Sequence, residues 1–270
     1  MTLAGQLFSV LGADGTVGRA LCRYLTAQGA RVQAFGRKDD GYLSRPLGHA
    51  LYAIGLTADY AARPFDTVEA HTSLFARLLQ GAAFDSMTYL SSTRLYDGGT
   101  SGREDAPLAL SPQNPRHLYD LSKALGESLC LTAGRVNVRA ARLAVVYDGD
   151  LEGENFLHDL IRRAGSAARL QLDSHPRVAR DYVHMDDVCA ALTVIATRGR
   201  HQIYNVASGV NVANAELFAA LEKLTGCEIS TTTKPDAPYV ASPVVDVTAM
   251  TEELGMRPRQ LMTALPGMIR

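Results

Sequence analysis

The chain has 270 residues, 47% of them hydrophobic and 20% charged, with a formal net charge of -1. That composition fits a globular protein of one large domain, with or without a small lobe, and lacks the basic excess of a nucleic-acid binder. No apolar run approaches the roughly 18 residues that span a bilayer. The opening MTLAGQLFSVLGADG has no basic start and enters a glycine turn too early for a signal peptide, so a cytoplasmic location is expected.

In chain order, QLFSVLG (6–12) reads as a buried strand and RALCRYLTAQG (19–29) as a helix stopped at Gly29. ARVQAFGR (30–37) and HALYAIGL (49–56) are two further strands, followed by a helix over TVEAHTSLFARLLQGA (67–82). SMTYLSS (86–92) is a strand, YDLSKALGESLCLTA (119–133) a helix, and VNVRAARLAVVY (136–147) a strand. Strands alternating with helices predict an α/β fold, a doubly wound parallel sheet with helices on both faces. After Asp148 the pattern loosens into a helix (154–165), a short strand (169–173), the segment 180–199, a strand-like QIYNVAS (202–208) and a helix (214–225). Residues 1–150 are therefore expected to form the main domain. Residues 151–270 are expected to form mainly a substrate-binding lobe, with some elements returning to the main sheet.

Gly12, Gly15 and Gly18 form GxxGxxG between the first strand and the first helix. The first glycine permits a tight turn, the second lets a pyrophosphate approach the backbone, and the third lets helix and strand pack closely. Thr16 and Val17 open the helix, where free N–H groups face an anion. Alone the pattern is weak, but inside a βαβ unit it points to a dinucleotide in a Rossmann domain. The second strand ends in Gly36-Arg37-Lys38, with Asp39 and Asp40 two positions late for the carboxylate that would accept the ribose 2′-OH of NAD. Arg37 is suited to a 2′-phosphate, which favours NADP over NAD.

Ser91-Ser92-Thr93 ends the strand over 86–92, at the sheet edge where ligands of such folds bind. Tyr119 and Lys123 are spaced i,i+4 and share one helix face. A tyrosine phenol is a weak base at neutral pH unless a cation lowers its pKa, and Lys123 is that cation. With a serine to orient the substrate oxygen, these groups move a proton while a hydride passes to or from a nicotinamide. Cys22, Cys130, Cys189 and Cys227 lie far apart with no CxxC spacing, and read as free thiols; His71, His117 and His158 have no ligand spacing, so no metal is expected.

With these residues in place the chain resembles the extended short-chain dehydrogenase/reductases, in particular the NAD(P)-dependent sugar-nucleotide epimerase/dehydratase/reductase family. The likeness is carried by VLGADGTVG, YLSSTRLYDG, EDAPLALSPQNPRHLYDLSKALGE, VRAARLAVVYDG, RDYVHMDDVCAAL and IYNVASG, and runs over nearly the whole chain. It implies that the catalytic hydroxyl stands four before Tyr96, which makes it Ser92, with Thr93 beside the substrate. It implies Tyr119 as acid–base and Lys123 on the cofactor ribose. Arg180 in RDYVHMDD takes the place of an arginine that grips a nucleotide-sugar diphosphate, and Asn155 falls in a stretch that meets the same group. His184, Asp186 and Asp187 are expected to hold the loop and cap a helix.

Several departures stand out. Only residues 38–49 separate the second strand from HALYAIGL, too few for the strand and helix the family fits there. His71 replaces a customary asparagine, and the strand at 169–173 lacks the usual glycines before RDY. Thr93-Arg94 replaces the Asp-Glu of dehydratases, which argues against 4,6-dehydration. The expectation is an NAD(P)-dependent epimerase or reductase of a nucleotide-linked sugar, NADP being favoured. A reductase of a non-sugar carbonyl and a catalytically silent dinucleotide-binding regulator are the alternatives. Family members commonly dimerise through the helices equivalent to 67–82 and 119–133, so a homodimer is expected.

Overall fold

The computed structural model describes residues 3–151 and 155–269. The elements run β1 (Leu7–Leu11), α1 (Thr16–Ala27), β2 (Arg31–Phe35), β3 (His49–Tyr52), α2 (Pro64–Val68), α3 (Leu74–Gly81), β4 (Ser86–Ser92), α4 (His117–Thr132) and β5 (Val138–Leu143). Then follow β6 (Val145–Tyr147), α5 (Phe156–Ala164), β7 (Arg169–Leu172), β8 (Ala179–His184), α6 (Met185–Arg198), β9 (Ile203–Val206), β10 (Asn211–Ala213), α7 (Asn214–Thr225), β11 (Glu228–Thr231) and α8 (Leu261–Ala264). Residue 154 of the expected helix 154–165 lies outside the described residues.

Six strands form one sheet in the order β2-β1-β3-β4-β5-β9, and every pairing is parallel. The central strands are buried on both faces, β1 and β3 through mainly apolar residues, while β5 (VRAARL) also buries Arg142, which pairs with Glu127. One face packs Phe8, Val10 and Leu51 against Leu21 and Leu25 of α1 and Val188, Leu192 and Ile195 of α6. The other packs Leu11, Tyr52 and Tyr89 against Phe75 and Leu78 of α3 and Cys130 of α4. The doubly wound α/β expectation holds, and the main sheet is completed by β9 from beyond residue 150.

Between β2 and the start of β3 at His49 the chain carries only a 3-10 turn at Gly41–Leu43; β3 pairs with β1, and β2 is left as the sheet edge. The expected single strand 136–147 divides at Ala144: β5 stays in the main sheet, while β6 pairs with β8, which pairs with β10. The helix expected over 67–82 begins earlier, at Pro64, and contains a π turn at Glu69–Ser73 between α2 and α3. Two buried tyrosine hydroxyls meet carbonyls in this turn: Tyr52 donates to Ala70 (2.5 Å) and Tyr89 to His71 (2.9 Å). A separate apolar cluster that includes Leu157, Ile161, Leu217, Leu221 and Leu261 gathers α5, α7 and the β7–β11 pair.

Candidate active site

The sequence around β1 folds into a tight turn because Gly12 adopts φ +91°, and a Cβ there would lie 2.8 Å from the Ala53 backbone. A Cβ on Gly18 would meet the Gly12 carbonyl oxygen at 2.1 Å, so α1 approaches the turn as only glycine allows. A Cβ on Gly15 would meet one atom alone, at 3.3 Å. Gly15 caps α1 with no side-chain hydrogen bond, leaving the backbone N–H groups at Thr16 and Val17 for a ligand. These residues fit the pyrophosphate of a dinucleotide.

One cavity of about 530 Å³ joins this turn to Ser92, Thr93, Tyr119, Lys123, Asn155 and Arg180. Ser92 ends β4, and its hydroxyl accepts the Arg94 N–H (3.2 Å), which starts the 3-10 turn Thr93–Tyr96. Tyr96 anchors that turn: its hydroxyl donates to Asn205 (2.8 Å) and accepts from Arg142 (2.6 Å), which is itself paired with buried Glu127 at 2.7 Å. Ser92 is thus fixed from behind by a buried polar network.

Tyr119 and Lys123 are both buried on α4. Burial pushes the Tyr119 phenol up, while hydrogen bonds with Ser92 and Thr57 and the Arg94 charge pull it down; the net direction is up. Lys123 donates to the Leu90 carbonyl (2.8 Å), and burial lowers its pKa to about 7 against the upward pull of Glu127. The Arg94 guanidinium lies 5.0 Å from the Tyr119 ring centre and 5.0 Å from that of Tyr60, and pairs with buried Asp120 at 3.0 Å. Arg94 and Thr57 escaped the sequence reading of the acid–base pair, because only folding brings them to the phenol.

His71, noted only as a departure, packs edge-on to Tyr119 with ring centres 5.2 Å apart. Its Nε2 accepts the Leu56 N–H (3.2 Å), so Nδ1 carries the proton and donates to Ser122 (2.7 Å), whose hydroxyl donates to the Tyr119 carbonyl (2.8 Å). Burial, together with the nearby Lys123 charge, lowers the His71 pKa to about 3, so the ring stays neutral. The chain Leu56–His71–Ser122–Tyr119 ties the first turn of α4 to the loop after β3. Ser91 is also buried beside the cavity, and its hydroxyl has no hydrogen-bond partner among the described residues.

On the substrate side the sequence expectations divide. Arg180 faces the cavity but pairs with Asp97 at 3.2 Å and donates to Ser242, which itself donates to Asp97 (2.5 Å). Asn155 lines the cavity, yet its carboxamide caps α5 by accepting the His158 N–H (2.9 Å) and donates to the Val146 carbonyl (3.1 Å). His184 caps α6 as expected, accepting the Asp186 N–H (3.1 Å), and Arg259 pairs with Asp186 at 2.8 Å. Arg37 is exposed at the end of β2, where its N–H donates to Asp14 (2.9 Å). The four cysteines are free, with Cys22 only half-buried, and the described residues hold no group of three or more metal-ligating side chains.

The NAD dependent epimerase/dehydratase family matches residues 47–207, more than half of the chain, and the chain belongs to that family. It is 28% identical over 293 residues to a dTDP-6-deoxy-L-talose 4-dehydrogenase (NAD(P)(+)) of Kitasatospora kifunensis, covering 93% of this chain and 91% of that protein. A dTDP-glucose 4,6-dehydratase of Streptomyces griseus is 28% identical over 199 residues, 69% of this chain and 57% of the dehydratase. Among solved structures, UDP-glucose 4-epimerase of Thermotoga maritima with UDP-glucose has a TM-score of 0.78 at 19% identity, covering 98% of this chain and 97% of that one. That likeness shows the shared Rossmann fold. Because dehydratases are among the relatives, the expectation against dehydration has no support from the comparisons. It rests on Thr93 and Arg94 alone.

Proposed function

We propose that the chain is an NAD(P)-dependent enzyme that transfers a hydride at a ring carbon of a nucleotide-linked sugar, by epimerisation or ketone reduction. The observation that carries this reading is the convergence of Ser92, Tyr119 and Lys123 with the glycine turn on one cavity. A bound nicotinamide would supply or take the hydride. The N-terminus of α1 at Gly15, Thr16 and Val17 would hold its diphosphate, and Lys123 its ribose. Tyr119, whose pKa stays raised, keeps its proton at neutral pH and gives it to a ketone oxygen, which suits the reductive direction. Ser92 hydrogen-bonds the same oxygen and sets its angle, while the Arg94 charge, which draws the phenol pKa down, stabilises the phenolate left behind. Thr93 and Arg94 offer no carboxylate to remove water, which favours redox chemistry over dehydration.

The chemistry is tested by Tyr119→Phe: turnover should fall about 100- to 10,000-fold while dinucleotide affinity is kept. Unchanged turnover would remove Tyr119 from the mechanism. A second reading has one observation in its favour. The Asp97 carboxylate already neutralises Arg180, as would suit a carbonyl substrate without a diphosphate. Arg180→Ala separates the two readings. It should raise KM for a nucleotide sugar about tenfold or more, and leave KM for an uncharged ketone unchanged.

The chain is further proposed to act as a homodimer. Phe65 and Val68 of α2 and Leu125 of α4 are exposed on the two helices that the family pairs, whereas Phe75 and Leu78 are used within the core.

A further inference from the structure

The second strand ends without an acidic residue, yet a carboxylate stands at its end. The turn after β1 is pinned to β2 by the Gly12 and Ala13 N–H groups, which both donate to the Phe35 carbonyl (2.8 and 3.0 Å). From that turn Asp14 reaches over Gly36 and accepts the Arg37 N–H through Oδ2 (2.9 Å). A Cβ built on Gly36 would lie 2.4 Å from Asp14 Oδ2 and 2.8 Å from Oδ1. The Asp14 carboxylate therefore fills the space of a side chain at position 36, the first residue past β2. This is where a strand-borne acid would accept the ribose 2′-OH in a dinucleotide fold.

We propose that Asp14 selects the dinucleotide, accepting the adenosine 2′-OH and so favouring NAD(H) over NADP(H). The inference rests on the reading of the glycine turn as a nicotinamide-dinucleotide site. A 2′-phosphate would bring its negative charge against this carboxylate. Arg37, which the sequence alone assigns to that phosphate, holds Asp14 in place through its own backbone. A second carboxylate supports the same sign: Asp39 accepts the Gly36 N–H (2.7 Å). The arrangement requires glycine at 36, since any larger residue displaces Asp14. The acid has moved from the strand to the loop, and the sequence order hides it.

The test is titration of the purified protein with NADH and NADPH, followed by cofactor fluorescence without substrate. The native chain should bind NADH at least about tenfold more tightly than NADPH. Asp14→Asn, nearly isosteric and on an exposed turn, should weaken NADH several-fold, tighten NADPH and bring the two affinities together. Gly36→Ala keeps the charge but pushes it off the strand end, and should lower the NADH preference with thermal stability measured in parallel. Tighter binding of NADPH by the native chain would overturn the inference alone. So would a ratio that neither substitution changes. Binding of neither dinucleotide would overturn it together with the cofactor reading beneath it.

Discussion

At Lys123 the needs of folding and of chemistry oppose each other. The ammonium is buried, with one carbonyl partner and the Glu127 charge nearby, and its pKa falls from 10.5 to about 7. Between those two pH values the unfolded chain holds a proton that the folded chain has released. Stability therefore rises with pH through that window, and the cost is fully present below it. The thermal midpoint of the native chain should climb between about pH 7 and pH 9.5, and Lys123→Met should flatten the slope. An unchanged slope in that variant would assign it to other groups. The Tyr119/Lys123 spacing was legible because both residues lie on one helix. Arg94, His71, Thr57 and Asp14 were not, since their roles come from segments that only tertiary packing joins.

Among the elements, the contact of α4 with β4 sets the site. A Cβ on Gly126 would lie 2.4 Å from both Cζ and the hydroxyl oxygen of Tyr89. The helix can approach the strand this closely only because the residue is glycine, and Tyr89 in turn bonds the π turn through the His71 carbonyl. Gly126→Ala should cost on the order of 1–3 kcal/mol in urea unfolding, the range for overpacking a filled core. A neutral result would show that the ring moves aside freely. The alternation of strands and helices was readable from apolar runs and turn residues. Two features were not. The division at Ala144 follows from where β6 finds β8 as a partner, and the π turn follows from two tyrosine hydroxyls on neighbouring strands. Neither leaves a local mark in the chain.

For the whole molecule, the short segment 38–49 removes a strand and a helix from one edge, as its length required, and leaves β2 as that edge. Among the exposed apolar side chains, Phe65 and Val68 lie on α2 and Leu125 and Leu131 on α4. Phe65 is 89% exposed and Leu125 51% exposed, a placement that fits burial in a second copy. Sedimentation equilibrium should give a dimer, and a Phe65→Glu/Leu125→Glu double variant a folded monomer. A native monomer at all concentrations would end that proposal. The glycine turn, the hydroxyl of β4 and the α4 pair could be singled out from sequence because each is a short motif at a strand or helix end. The neutralised Arg180 was not, because Asp97 and Ser242 are distant in the chain.

The most direct measurement of the central claim is label transfer. Reduced dinucleotide carrying deuterium at nicotinamide C4 would be incubated with a 4-keto nucleotide sugar, and the product read by NMR and mass spectrometry. The native chain should place deuterium on a ring carbon of the sugar. Tyr119→Phe should bind the dinucleotide as before but transfer about 100- to 10,000-fold more slowly. A product without deuterium on the ring, or equal transfer by Tyr119→Phe, would contradict hydride transfer through this site.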